Sequence, residues 1–422
     1  VPASSMPLNS ARSMVSPPES PRSTDLGRVA DLINGEDYSV HRLQEACKEG
    51  EVVIQASDLP VVKKLGEGSF GIVFKCRYAA PRGSRAEQLV QGADGLVAVK
   101  RLKSPEEMAA FWAERGVSAD DDTLPSSATA PKADISDEAI REFAHELLLL
   151  KKLSHPNVIG YIGCGIFKSE AGRDSLALVQ EFAVYGSLKD QINSTKTMKR
   201  PYKVSEGLRW AQDIADGMAF LHNCKPKIVH RDLKPENILL CTAARVAKIS
   251  DLGLASLAIQ KRKDMARSGL MRLGNRSDEK PRPTYAMTGK TGSLRYMAPE
   301  NFRGENYTHT VDQYSFAIIL YELLWRGPAY KDLYLQPEMI AKAVAGPRQL
   351  RPELPKVWPK PVVDLISECW AEDASRRPDF MAVLERIKAI RCEGPEGDKL
   401  LDALAAGTRK GILEKMGVSK AA

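Results

Sequence analysis

The spacing of apolar residues changes period several times along this chain, and each change marks a predicted element. Ile72-Val73-Phe74-Lys75-Cys76 is β-branched and aromatic and predicts a strand. The apolar run Val97-Ala98-Val99, ending in the cation Lys100, predicts another. From Asp137 to Leu153 the residues Ile140, Phe143, Leu147 and Leu150 fall at helical spacing, interleaved with Glu138, Glu142 and Glu146. Ser175 to Ala183 predicts a buried strand. Phe316 to Trp325 predicts a core helix, too short and too interrupted to span a bilayer.

Outside these elements the pattern weakens. Residues 1–25 hold seven Ser and five Pro with few apolar groups, which predicts a disordered tail. Residues 26–58 form an extension in which Leu26, Val29, Leu32, Ile33, Val40, Leu43 and Ala46 suit short amphipathic helices. Two inserts follow, at about 79–95 and 104–135; the first lengthens the loop before Lys100, and the second is expected to be mobile. The tail 392–422 ends in Gly411-Ile412-Leu413-Glu414-Lys415-Met416, a predicted surface helix. At 422 residues the chain is long enough for a domain of about 300 residues plus these tails.

Composition narrows the class only a little. The 61 basic and 54 acidic residues give +7, too mild a charge to imply nucleic acid. Seven cysteines are scattered without C-x-x-C spacing, which indicates neither a zinc site nor a disulfide framework and suits a reducing compartment. No stretch is apolar enough for a membrane span, and a cytoplasmic or nuclear location is expected. The chain opens on Val1 rather than Met, which leaves a removed leader or a truncated gene open.

The chemistry concentrates in His230-Arg231-Asp232-Leu233-Lys234-Pro235-Glu236-Asn237 and, downstream, Asp251-Leu252-Gly253. A proton acceptor, an amide ligand and a metal-binding carboxylate close together suit phosphoryl transfer from a nucleotide, which depends on positioning and charge neutralisation. Upstream, Leu65-Gly66-Glu67-Gly68-Ser69-Phe70-Gly71-Ile72-Val73 supplies glycines that let backbone N–H groups approach phosphates. The same glycine spacing opens dinucleotide-binding folds, but there a helix follows, and here a strand does. Lys100 alone has a bland reading as a solvated strand end; the glycine loop before it argues against that.

In this order, with Ala298-Pro299-Glu300 after them, the motifs resemble the protein kinase family over residues 59–391. The resemblance implies an α+β, two-lobed kinase fold. A small β-rich lobe with one main helix would cover about 59–183, and a larger, mostly helical lobe about 184–391. It implies ATP and Mg²⁺, with Leu65, Gly66, Glu67, Gly68, Ser69, Phe70, Gly71, Val73, Ala98, Lys100 and Leu239 around the nucleotide. The backbone of Glu181 and Ala183 would take the adenine, with Gln180 at the back of the pocket and a helix starting at Gly186-Ser187-Leu188. Glu146, nine residues before His155, would orient Lys100, with Glu142 as fallback. Asp232 would accept the substrate proton, Lys234 would steady the phosphoryl group, and Asn237 and Asp251 would hold Mg²⁺. Asp312 would anchor the catalytic loop, and Glu300 would pair with Arg377.

Lys234 and Ser293, the latter placed by the family as a hydroxyl beside the catalytic aspartate, imply serine and threonine hydroxyls on protein substrates. Tyr296-Met297-Ala298-Pro299-Glu300 and Val311-Asp312-Gln313-Tyr314-Ser315-Phe316 resemble the tyrosine-kinase-like (Raf-like, mixed-lineage-like) group of serine/threonine kinases. One departure stands out: Leu252 occupies a position where phenylalanine is usual, and leucine is apolar and large enough to preserve the packing. The segment from Asp251 to Glu300 is unusually long, with eight Lys/Arg against three acids in 260–283. That basic stretch is either a solvated loop or a dock for acidic substrates. Thr288 and Thr291 are the expected phosphorylation sites, through an upstream kinase or autophosphorylation, with Arg231 receiving the phosphate. Two other classes stay open: a kinase-shaped scaffold without catalysis, and a kinase for small molecules, which the Ala-Pro-Glu segment disfavours.

Overall fold

The computed structural model describes residues 53–68, 71–104, 106–107, 110–111, 114, 134–168, 174–193, 202–258, 293–391 and 401–404. The tail 1–25, most of the extension, the basic stretch and the Gly411–Met416 helix lie outside them, as do Ser69, Phe70, Thr288 and Thr291.

The small lobe is a six-stranded sheet of β1 (Ile54–Gln55), β2 (Val61–Glu67), β3 (Gly71–Arg77), β4 (Leu96–Leu102), β5 (Tyr161–Lys168) and β6 (Asp174–Glu181), in the order β1-β5-β6-β4-β3-β2. All neighbours run antiparallel except β1 with β5. Side chains alternate across a strand, and β4 and β6 use this fully. Val97, Val99, Ala177 and Val179 join a cluster on one face with Ile54, Leu59 and Cys76. Leu102, Leu176 and Leu178 pack into the main core, which also takes Phe143, Leu147 and Leu150 of the long helix. Lys100 falls between Val99 and Arg101, on the side of Ala98 and Leu102, and so faces the cleft.

The insert between β3 and β4, expected as a longer loop, contains a helix, α1 (Arg85–Gln91). Ser84 caps it by accepting the N–H of Glu87 at 3.2 Å. The predicted glutamate helix is α2 (Asp134–Lys152), with buried Phe143, Ala144, Leu147, Leu148, Leu149 and Leu150.

The large lobe consists mainly of α3 (Leu188–Asn193), α4 (Val204–Asn223), α5 (Pro299–Phe302), α6 (Thr310–Trp325), α7 (Pro337–Ala345), α8 (Lys360–Cys369) and α9 (Phe380–Ile390). Every residue of α6 from Thr310 to Leu324 is buried, as an all-round apolar helix requires. No helix among the described residues is long and apolar enough to cross a membrane. Two short antiparallel pairs complete the large lobe: β7 (Lys227–Val229) with β10 (Ser256–Ala258), and the hairpin β8 (Ile238–Cys241) with β9 (Val246–Ile249). That hairpin carries Asn237 at one end and Asp251 just beyond the other.

Candidate active site

The register Val73↔Lys100↔Leu178 sets Lys100 in the middle of the sheet, opposite the glycine loop. A Cβ on Gly71 would stand 3.1 Å from the Arg101 carbonyl oxygen and 3.7 Å from Cγ of Lys100. The missing side chain is therefore what lets the loop lie close over the lysine. The Gly68 N–H closes the loop by donating to the Gly71 carbonyl at 2.9 Å. From α2, Glu146 reaches Lys100 Nζ at 2.6 Å, and Asp251 Oδ1 meets the same ammonium at 3.2 Å. Glu146, not Glu142, is the partner of Lys100. Burial alone would lower the pKa of Lys100, but the Asp251 and Glu146 carboxylates outweigh it and raise it. The Lys100 charge in turn holds Asp251 below the usual carboxylate range.

The catalytic loop is fixed from below. Asp312, buried on α6, accepts the N–H of His230 and of Arg231, each at 2.9 Å, and stands 2.8 Å from His222 Nε2. Burial works to raise the Asp312 pKa, yet the bond and charge of His222 with His230 and the Arg231 N–H bring it below the ordinary value. Arg231 and Asp251 hold φ values of 70° and 60°. Left-handed backbone at non-glycine residues is costly and survives where surroundings over-determine it, as these contacts do.

Asp232 gathers the remaining groups. It accepts Lys234 Nζ at 2.5 Å and Asn237 Nδ2 at 3.2 Å on one oxygen, and the Ser293 N–H at 2.9 Å on the other. Ser293 thus meets Asp232 through its backbone N–H, where the sequence suggested the hydroxyl. Asn237 Nδ2 also donates to the Asp232 carbonyl at 2.9 Å, which commits the amide nitrogen to the protein. Glu300 binds Arg377 through both oxygens, at 2.6 and 2.9 Å.

A cavity of about 370 Å³ lies between the lobes, and Gly68, Val73, Lys100, Gln180, Asn237 and Asp251 are on its wall. Glu142, Glu146, Gly71 and Ser250 line it as well. Leu65, Gly66, Glu67, Ala98, Glu181, Ala183 and Leu239 do not. Glu67 is instead tied to Lys103 at 2.6 Å and to Lys64, and the Lys103 bond above all pushes its carboxyl down to about 2. Glu181 turns its side chain away from the cavity, to Lys248 Nζ at 2.7 Å. Sequence reasoning missed Ser250, whose hydroxyl donates to the Asn237 carbonyl at 3.0 Å and joins the two metal candidates. No signal beyond its place beside Asp251 marked it.

Among the described residues no group of three or more His, Cys, Asp or Glu is placed to hold a metal. Mg²⁺ needs no such cage, because one or two carboxylates plus phosphates suffice. The donor set here fits that mode. The Asp251 side chain is 45% exposed, and Asn237, its nitrogen occupied, offers its remaining oxygen.

A fold with these lobes and this cleft is that of a phosphotransferase, and the chain belongs to the protein kinases. Residues 129–387 match the family model described as protein tyrosine and serine/threonine kinase. The chain is 36% identical over 254 residues to serine/threonine-protein kinase VIK of Arabidopsis thaliana, covering 60% of this chain and 51% of that one. It is 28% identical over 384 residues to serine/threonine-protein kinase STY17 of Arabidopsis thaliana, covering 89% and 54%. With mitogen-activated protein kinase kinase kinase 7 of Homo sapiens the identity is 27% over 349 residues, covering 82% and 44%. The chain spans about half the length of these relatives.

Proposed function

We propose that this chain is an active ATP-dependent protein serine/threonine kinase of the tyrosine-kinase-like group, with its kinase domain over about 59–391. The observation that carries the reading is the single ammonium of Lys100 held by Glu146 and Asp251 in a cavity that Asn237 also lines. Lys100, oriented by Glu146, neutralises nucleotide phosphates. The backbone of Glu181 and Ala183 receives the adenine, with Gln180 at the back of the pocket, and the glycine loop covers the phosphates. Asp251 and Asn237 hold Mg²⁺, which supplies charge neutralisation at the transferred phosphoryl group. Asp232 orients the acceptor hydroxyl and takes its proton, and Lys234 stabilises the phosphoryl oxygens.

A groove of about 500 Å³ runs beside Asp232, with Lys189, Pro235, Ser293, Leu294, Tyr296 and Pro328 on its wall. Ser293, on that wall, donates its N–H to Asp232 at 2.9 Å, so the groove opens beside the proposed base, which favours protein acceptors. Control through Thr288 and Thr291 and a cytoplasmic location complete the proposal. Phosphate transfer from MgATP to a protein acceptor tests it, with Asp232→Asn as control. The variant is expected to lose about 10²–10⁴-fold in rate, and equal incorporation by both proteins would sink the enzyme reading.

A further inference from the structure

The insert between β3 and β4 does more than lengthen a loop. Val90 of α1 is buried in the cluster with Ile54, Cys76 and Val97, which roots the helix on the small lobe. Arg85 Nη2 donates to the Leu153 carbonyl just after α2, at 3.2 Å. Leu89 lies over Gly160 so closely that a Cβ there would stand 2.5 and 2.9 Å from its two methyls. The same Cβ would be 3.1 Å from Glu181 Oε2. Just past α1, a Cβ on Gly92 would sit 4.0 Å from Cγ2 of Thr242, in the turn between β8 and β9 of the large lobe. The C-cap of the helix therefore comes up to the large lobe.

Beneath Leu89 lies a bond between the lobes. Glu181, at the end of β6, accepts Lys248 Nζ at 2.7 Å and the Gly160 N–H at 3.2 Å on one oxygen. Lys248 belongs to β9 and stands three residues before Asp251; both partners are buried. An ion pair gains strength where water is excluded, provided its geometry is good. Leu89 and the Glu181 carboxylate of this pair both stand against Gly160.

We propose that α1 is a strap across the hinge: by laying Leu89 over Gly160 and the Glu181–Lys248 pair, it holds β6 and β9 in the arrangement that binds nucleotide. The inference rests on reading the cleft as the ATP site. Lobe opening is a hinge motion, and a contact made only in the engaged arrangement raises its population. Leu89 and Arg85 are positioning residues, since neither touches the cavity.

The test uses the full chain and MgADP binding by calorimetry. Leu89→Asp sets a carboxylate beside Glu181 and is expected to weaken MgADP roughly 5- to 10-fold. The KM for ATP should rise in step while kcat changes little, because saturating nucleotide restores the engaged form. Leu89→Met should behave as wild type. A purely structural helix would lower the melting temperature without this KM-specific change. Gly160→Ala, which displaces the Leu89 methyls, should act in the same direction and less than additively with Leu89→Ala. Amide hydrogen exchange in nucleotide-free protein reads the strap separately: Leu89→Asp should speed exchange in β8, β9 and the end of β6. Unchanged exchange there, or unchanged MgADP affinity in a folded variant, overturns the strap. If Leu89→Asp does not fold, Leu89→Ala decides by the same two measurements. Wild-type protein that binds no MgADP refutes the cleft reading instead, and the exchange measurement still judges the strap.

Discussion

The cleft and the floor of the large lobe both join carboxylates to cations, and they use burial in opposite ways. Arg377 is fully buried, and its guanidinium is consumed by both oxygens of Glu300, the Thr310 carbonyl at 3.0 Å and the Ala371 carbonyl at 2.9 Å. Four of its five N–H donors are bound inside the protein, and Arg377 is not on the wall of the cavity between the lobes. In the cleft one ammonium serves two carboxylates, and the side chains of Lys100 and Asp251 stay 26% and 45% exposed. Charges that the protein satisfies completely define its stability. Charges left facing a cavity are held for something that arrives.

The sharpest way to break this contrast is Glu300→Ala. It strands Arg377 in the interior, and an uncompensated buried charge costs about 3–5 kcal/mol. Urea unfolding should show that loss, while MgADP affinity per folded molecule stays at the wild-type value. A loss of affinity without a loss of stability would reverse the assignment of the two regions.

A second large-lobe carboxylate gives a pH signature. Burial pushes Glu322 from 4.5 up to about 7, against the Ala329 N–H at 2.7 Å and the Tyr296 hydroxyl at 3.0 Å, which donate to it. In the unfolded chain the carboxyl ionises near 4.5, so between 4.5 and 7 the folded protein keeps a proton the unfolded chain has lost. The resulting stability is fully present below 4.5 and is lost as pH rises through about 7. At about 1.4 kcal/mol per unit the difference reaches roughly 3 kcal/mol. Subtracting a Glu322→Gln stability curve from the wild-type one should expose this decline between pH 5 and 7.5; parallel curves would refute it.

In the cleft the expected pattern is inverted. Glu146→Gln keeps shape and still accepts from Lys100, so stability should move by less than about 1 kcal/mol. Phosphotransfer should nonetheless fall roughly 10²-fold, because a small misplacement of a positioning group costs that much. Steady-state rates beside urea midpoints check both halves.

The same contrast governs what could be read in the sequence. That Lys100, Asp232, Asn237 and Asp251 would come together, that Asp312 would hold the loop and that Glu300 would meet Arg377 was legible through motifs at fixed spacing and the family they resemble. Glu146 was legible through its distance from His155. The Glu181–Lys248 pair was not, since 67 residues separate the partners and neither type is restricted there. Nor was it legible that Glu67, inside the glycine loop, turns to Lys103. The helix α1 was missed although Ser84-Arg85-Ala86-Glu87 carries the Ser-x-x-Glu signature of a helix start. Pro81-Arg82-Gly83 just before it has the chemistry of a turn, and a helix of seven residues has little periodicity to show.

Leu252 offers the smallest and finest test. The family's usual phenylalanine would fit only if the leucine left slack beneath α2. Leu252 is completely buried within the main core, alongside Phe143 and Leu147. Immediately after it, a Cβ on Gly253 would already stand 3.6 Å from the Glu142 carbonyl oxygen on α2. The α2 backbone thus lies within van der Waals reach of the segment just after Leu252, and the larger ring is expected to press on α2. Interiors are close-packed, and overpacking costs about 1–3 kcal/mol. Leu252→Phe should sit at the low end, about 1 kcal/mol less stable, with a raised KM for ATP as α2 carries Glu146 away from Lys100. A more stable variant with unchanged KM would mean that the cleft, unlike the floor of the large lobe, is loosely packed where Asp251 is anchored.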